Sequence, residues 1–369
     1  MKHIKVVLGS NLGDEGKGLM THYFSKNAEG KVLNILFNGG VQRGHTVNDH
    51  VFHCFGSGTF DGADTYYHKD FMVNPIGWDI EYDQLLSLGF NPSLYIDPEC
   101  RVTLPYDMII NRKIEEKRGS NRHGSCGMGI YETRLRSEQH PILAKDLMDQ
   151  YTLYNKLKTI ENVWVPKRCK ELGVDLINCD DMINSFLVLS NTMMKYVSLK
   201  SFDEIKDNFD TIIYEGGQGL LLSEDNIDFA PHLTPSFTGS QIISKEINEM
   251  SNVDVEVCYV TRPYMTRHGA GMFPTECKKE DINKDIVDKT NQPNPYQETL
   301  RFGYLDVVEL IDRTNADFDN YKVKAIKSLA VTQVNYTHRN FVCGKDIKVP
   351  VKNVLFEYDK GYTFDSQEI

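Results

Sequence analysis

No two of the eight cysteines (54, 100, 126, 169, 179, 258, 277, 343) stand in a CxxC spacing. Thiols scattered in this way argue against a zinc ribbon or a dithiol redox centre and predict a reduced, cytoplasmic chain in which each cysteine is a small buried hydrophobe. No apolar run approaches the length of a membrane span, so no membrane association is expected. The N-terminus passes directly into an apolar strand containing Lys5, which argues against a signal peptide. Internal repeats and low-complexity segments are also missing. Lysines and arginines form no cluster, and the net charge is −11, which speaks against a nucleic-acid partner. A local basic pocket for a small anionic substrate is compatible with that balance. The two tryptophans, Trp78 and Trp164, read as core residues rather than stacking platforms.

What is present is a regular alternation. Strand-like apolar runs at 4–8, 33–37, 210–214, 255–260 and 325–332 are separated by helix-compatible stretches, and glycine or polar loops usually follow them. This pattern predicts an α/β fold with a largely parallel central sheet. Residues 140–208 read as mostly helical from the spacing of Leu147, Tyr151, Tyr154 and Leu157. One domain over 1–369, with helical and loop insertions, is the expected organisation. The aromatic-rich segment 60–78 is a candidate cover for a nucleotide.

The first run leads into Gly9-Ser-Asn-Leu-Gly-Asp-Glu-Gly-Lys-Gly18 and then into a helix-compatible segment. Strand, glycine turn and helix together form a P-loop-like phosphate cradle, because backbone N–H groups converge at the positive end of the helix. It is not a Walker A loop: Gly9 and Gly16 are too far apart, and Gly18 stands where Ser or Thr would hold magnesium. Asp14 lies inside the loop. A carboxylate beside a polyphosphate is repulsive unless it binds a metal or handles a proton, so Asp14 points to chemistry as well as binding.

Four further glycine-rich segments follow: Asn38-Gly-Gly-Val-Gln-Arg-Gly-His-Thr46, His123-Gly-Ser-Cys-Gly-Met-Gly-Ile130, Tyr214-Glu-Gly-Gly-Gln-Gly219 and Thr266-Arg-His-Gly-Ala-Gly-Met-Phe-Pro-Thr-Glu276. A single loop of this kind is weak evidence. Several in one α/β chain predict a broad site at the carboxyl edge of the sheet. His45 alone would be read as structural; beside a second glycine loop it becomes a catalytic candidate. His53 reads as a loop or core histidine.

In order and content these segments resemble adenylosuccinate synthetase: GDEGKG at 13–18, GHTV at 44–47, FHCFGSGTF around His53, EGGQG at 215–219, TRHGAGMFPTE at 266–276 and Gly303-Tyr-Leu-Asp306. The resemblance implies a two-step ligation. A nucleoside triphosphate phosphorylates the 6-oxygen of a purine monophosphate, and the amine of L-aspartate then displaces phosphate at C6. It also implies roles. Asp14 takes the N1 proton and holds Mg2+ together with the Gly44 carbonyl. His45 stabilises the leaving diphosphate, Lys17 neutralises the transferred phosphoryl group, and Gln218 reads the purine edge. Nucleotide contacts are implied for Gly13, Glu15, Gly16, Gly18, Gln42, Thr46, Ser125, Cys126, Thr234, Arg267, Gly269, Thr332, Gln333 and Asn335. Aspartate binding falls to Arg301 and Thr299, with Arg267 a further candidate. The resemblance also implies a homodimer in which an arginine, assigned to Arg136 with Arg134 as the alternative, reaches the partner's nucleotide phosphate.

The sequence departs from the family pattern at two motifs. Thr332-Gln-Val-Asn335 stands for the guanine-reading Thr-Lys-x-Asp, and the carboxylate that accepts two guanine N–H groups becomes an amide, which favours an adenine triphosphate. Residues 294–301 keep one arginine of the amino-acid loop, with Arg43 a new charge beside GHT. Together these departures are similar to the phage branch that joins aspartate to dGMP with ATP or dATP. Asp14 runs against that branch, whose members often lack it. The alternatives are an ordinary IMP- and GTP-using synthetase and a catalytically silent nucleotide sensor.

Overall fold

The computed structural model describes residues 1–178, 180–288 and 300–368. Its centre is a sheet of β1 (Lys2–Gly9), β2 (Val32–Leu36), β3 (Asp64–Tyr67), β4 (Leu94–Ile96), β5 (Val197–Leu199), β6 (Thr211–Gly219), β7 (Val253–Thr261), β8 (Ala325–Val331) and β9 (Lys360–Thr363), in the order β9-β8-β7-β1-β6-β2-β3-β4-β5. Every neighbouring pair is parallel. The expected α/β class and largely parallel sheet are therefore present, and all five strands read from the sequence lie in this sheet. β3, β4, β5 and β9 escaped that reading. Each is only three or four residues long, with too little apolar run to register.

Both faces of the centre are covered, as parallel sheets require. Alternation along β1 sends Ile4, Val6 and Leu8 to one side, where they join Ile243 and Ile247 of α8 (Ile243–Glu249) and Leu310 of α9 (Val307–Phe318). Val7 points the other way, into a cluster with Leu19, Met20 and Phe24 of α1 (Lys17–Lys26). Fully burying a side chain of this size stabilises by about 1.5–3 kcal/mol, so β1 is the best-anchored strand and the glycine loop leaves it from a rigid base.

A second cluster lies beyond β4 and β5. It is built on α2 (Pro75–Ser87), α3 (Pro105–Arg118), α4 (Ile130–Ser137), α5 (Gln150–Thr159), α6 (Val165–Leu172) and α7 (Asp180–Met193). These helices bear out the helical reading of 140–208. Trp78 and Trp164 are buried in this cluster, and Trp78 stacks on Tyr82 at 4.7 Å. Tyr66, Tyr67 and Phe71 are equally buried. The segment 60–78 therefore supplies core rather than a nucleotide cover. The seven described cysteines are free, and four of them are buried. Among the described residues no helix is long and apolar enough to cross a membrane.

Asp306, which closes the Gly303-Tyr-Leu-Asp306 segment, caps α9: its Oδ1 accepts from the N–H groups of Val308 at 2.9 Å and Glu309 at 3.1 Å. An Asp306→Ala variant is expected to lose about 1 kcal/mol of stability, as N-cap truncations do. Urea unfolding checks this, and an unchanged midpoint would show that the residue is kept for another reason.

Candidate active site

The loops that leave β1, β2, β6, β7 and β8 at their carboxyl ends converge on one cavity of about 1510 Å³. It is large enough for more than one small molecule at once. Its floor is the loop between β1 and α1. Gly13 and Gly16 have φ of 96° and 99°, and Asp14 itself sits at φ 57°. The left-handed region disfavours most side chains but tolerates Asp. A Cβ on Gly16 would lie 2.6 Å from Cγ2 of Thr332, and one on Gly18 2.9 Å from Cβ of His45. These two glycines let the β8 loop and the GHT segment close over the start of α1.

Asp14, Lys17, Gly44, His45 and Gln218, brought from three separate loops, all line this cavity. Lys17 Nζ lies 3.6 Å from Glu15 Oε2. Glu15 also accepts the Asn11 N–H, and Thr332 Oγ1 donates to its carbonyl at 2.8 Å. Burial pushes the Glu15 carboxyl upward in pKa against the pull of Lys17. Its side chain therefore works within the loop, while Asp14 is the carboxylate presented to the cavity. Among the described residues no three His, Cys, Asp or Glu side chains cluster to hold a metal. One carboxylate and one backbone carbonyl suit Mg2+, which is commonly held by one or two carboxylates together with substrate phosphates and water. Asp14 and Gly44 fit that role.

The interaction behind His45 was not assigned from sequence. Glu215, on β6, is fully buried, and its Oε1 lies 2.5 Å from His45 Nδ1 and 2.6 Å from an Arg43 Nη. Ser57 adds its backbone N–H at 3.0 Å and its hydroxyl. Burial works against the Glu215 charge, but Arg43 and His45 outweigh it and hold the carboxyl below its ordinary range. Desolvation and then Arg43 push the His45 pKa down. The ring is thus neutral; its Nδ1 lies between Glu215 Oε1 and an Arg43 terminal nitrogen, at 2.5 and 2.6 Å, and its Nε2 is buried without a partner. A phosphate oxygen brought to Nε2 would favour a second ring proton, and Glu215 would support the resulting imidazolium. A carboxylate inside an otherwise apolar strand was the available signal for Glu215.

The small-residue loop at 123–130 is shaped by α3. Asn111 donates to Ser125 Oγ at 2.8 Å and accepts from Gly129 N–H at 3.1 Å, while Glu115 accepts from Gly124 N–H at 2.8 Å. Burial pushes the Cys126 thiol up to about 11, so it meets an anion as a neutral group. Ser125, Cys126, Thr46 and Thr234 line the cavity, as does Gln42, whose amide nitrogen and oxygen are both buried without partners. Thr332, Gln333 and Arg267 line it too, whereas Gly269 packs on Gly124 between the cavity residues His268 and Ala270.

Three expectations are corrected. Arg136 is fully buried, and Asp107, His140 O and Val102 O occupy its guanidinium, so it cannot reach a partner subunit. Arg301 forms a two-point pair with Glu276 at 2.8 and 2.5 Å and donates to the Gly269 and Gly271 carbonyls, which leaves it unsuited to hold a dicarboxylate. Asn335 is exposed and off the cavity wall. Its Nδ2 donates to Ser366 Oγ at 2.9 Å and its Oδ1 accepts from Ser366 N–H at 2.8 Å, so the amide is turned to the chain's own C-terminal segment rather than to the cavity. Thr299 lies outside the described residues.

The lowered pKa values of His45 and Glu215 carry a pH signature. The unfolded chain binds more protons than the native one below pH 6.5 at His45 and below 4.5 at Glu215, so stability falls on acidification through these windows. Glu215→Gln leaves Arg43 buried without its carboxylate, which is expected to cost about 3–5 kcal/mol at neutral pH and to remove the part of the acid limb below pH 4.5, leaving the His45 part above it in place. Urea midpoints measured from pH 3 to 8 check this; an unaltered limb below pH 4.5 would assign that titration to other groups.

Comparison with known proteins agrees with this geometry. Residues 6–340 match the family described as adenylosuccinate synthetase. Curated relatives include the adenylosuccinate synthetase of Clostridium botulinum (strain Eklund 17B / Type B), 30% identical over an alignment of 355 positions that covers 89% of this chain and 77% of the relative. The Acaryochloris marina adenylosuccinate synthetase is 32% identical over an alignment of 287 positions that covers 74% of this chain and 63% of its own. Among solved structures, the fully ligated Plasmodium falciparum adenylosuccinate synthetase superimposes with a TM-score of 0.68 at 17% identity, over 96% of this chain and 86% of that one. The cyanophage S-2L succinoaminodeoxyadenylate synthetase, solved with dGMP and with dATP as energy donor, gives 0.63 at 13% identity, over 98% and 91%. At such identities the two structures speak for the fold alone, but the sequence match and the cavity built from the same motifs agree: the chain belongs to the adenylosuccinate synthetase family, ligases that form a C–N bond between aspartate and a purine nucleotide.

Proposed function

We propose that this ligase takes dGMP as its purine acceptor and ATP or dATP as phosphoryl donor, yielding the 2-amino-2′-deoxy form of adenylosuccinate for diaminopurine DNA. The observation that carries the reading is the closed Asn335–Ser366 pair. Where the family's guanine-reading carboxylate would stand, an amide with one acceptor oxygen, already accepting from Ser366 N–H, takes its place, so guanine loses its two-oxygen partner. Adenine asks for one donor and one acceptor, which backbone groups can supply. The cyanophage synthetase, with the same overall fold, was solved with dGMP and dATP. Retention of Asp14 and the curated adenylosuccinate synthetase relatives support a second reading, in which IMP and GTP are used.

In either case Asp14 takes the N1 proton, and the 6-oxygen attacks the γ-phosphorus as the nucleoside diphosphate leaves. Lys17 and the His45 Nε2 edge meet the charge that develops on the phosphates, preorganised donors being worth most where charge appears. The aspartate amine then attacks C6, the C6–O6 bond breaks, inorganic phosphate departs and the amine gives up a proton. Mg2+ bound at Asp14 and Gly44 would screen the phosphate oxygens. The reading includes a homodimer. With Arg136 locked inside its own subunit, Arg134, half-exposed beside Glu224, is the arginine left to contact a partner's phosphate.

Phosphate release with L-aspartate and Mg2+, crossing IMP, dIMP, GMP and dGMP against ATP, dATP and GTP, tests the substrate assignment. Turnover is expected with dGMP and an adenine triphosphate, and turnover confined to IMP with GTP would overturn it. Asp14→Asn, which tolerates the same backbone angle, is expected to lower kcat by roughly 10²–10⁴-fold without lowering the Tm. An active variant would remove Asp14 as the base.

A further inference from the structure

We infer that Arg262 binds a carboxylate of the amino-acid substrate, taking over from the loop arginine that Glu276 occupies. This rests on the ligase reading above and assigns its amino-acid subsite. Arg262 follows the last residue of β7 and lines the cavity although only 5% of its surface is exposed. One terminal nitrogen donates to Asp288 Oδ2 at 2.9 Å, while Nε and the other terminal nitrogen are buried with no partner but the neighbouring Tyr264 hydroxyl. Buried N–H donors are normally satisfied, so a guanidinium that lines a cavity with donors to spare marks a place where a ligand can supply acceptors.

The other cations of the described cavity wall are engaged. Lys17 pairs with Glu15 in the phosphate cradle, Arg118 with Glu115 at 2.6 Å and Arg168 with Glu132 at 2.8 Å. Arg267 donates to the carbonyls of Ala270, Met272 and His232. Arg262 is paired as well, with Asp288, but through one terminal nitrogen only, which leaves its other edge to meet a substrate carboxylate. Burial disfavours its charge, but Tyr264, Asp288 and Asp14 outweigh this, so it stays charged. Arg262 and Asp14, the group that works on the purine's 6-position, line the same cavity, where the amine must arrive. Asp288 precedes the stretch that stands in the sequence where the family's amino-acid loop does. A phosphate oxygen is the competing anion; the start of α1 and Lys17 already provide for it.

The test is steady-state kinetics of the full chain carrying Arg262→Gln, with L-aspartate and each nucleotide varied in turn. The KM for L-aspartate is expected to rise roughly ten- to hundredfold, with nucleotide KM values within about twofold of the parent. A raised KM for the triphosphate with L-aspartate unaffected would assign Arg262 to phosphate and overturn the proposal, as would no change in either. Should the glutamine variant fail to fold, Arg262→Lys keeps the charge and the link to Asp288 but loses the planar fork. A smaller rise confined to L-aspartate is expected there, and an unchanged KM overturns the proposal. Parent protein that releases phosphate without any dependence on L-aspartate would sink the ligase reading itself, an outcome distinct from a failure of Arg262 alone.

Discussion

The buried carboxylate of Glu215 is the interaction on which the rest of the site depends. It ends the apolar part of β6, and four groups from two other segments converge on it: the Arg43 guanidinium, the His45 ring, and the Ser57 N–H and hydroxyl. Such a charge is tolerable in the interior only when its partners are fixed, because the cost of desolvation returns in full if one is lost. The requirement works in both directions. Glu215 and Arg43 together fix the rotation of His45, and the need to neutralise Glu215 draws the 38–46 loop and the turn at Ser57 onto the end of the sheet.

Close approach of backbones is the second constraint. The β1–α1 loop, the GHT segment and the β8 loop meet where Gly16 and Gly18 leave no room for a side chain. The positive end of α1 is therefore reached from two sides, and Asp14 is held in a left-handed conformation at the junction. A parallel sheet buried on both faces supplies the rigidity, since β1 has strands on either side and helices above and below. Phosphate cradle, carboxylate and histidine thus depend on the strand that is hardest to displace.

The corrections share a physical cause. Arg136, Arg301 and Asn335 each belong to a residue type suited to the role expected of it, and each is consumed by a partner distant in the chain or hidden by folding: Asp107, Glu276 and Ser366. Whether a polar side chain is available depends on what lies within three ångströms of it, and no local pattern encodes that. The same blindness works in reverse for Arg262, an unremarkable residue between Thr261 and Pro263 that folding leaves buried with donors to spare.

By itself the sequence determined the α/β class, the five long strands and the membership of the cavity wall by Asp14, Lys17, His45 and Gln218. Those features are encoded locally: apolar period and length specify a buried strand, and a glycine cluster just after a strand places a loop at the sheet's carboxyl edge. Tertiary structure alone decided the strand order, the short edge strands that borrow stability from longer neighbours, the Arg43–Glu215–His45 cluster and the burial of Arg262 beside Asp288 with donors to spare. Each of these is a statement about groups tens to hundreds of residues apart brought into contact. Charge pairing over a few ångströms in a water-poor interior is settled by the packed neighbours rather than by the residues adjacent in the chain.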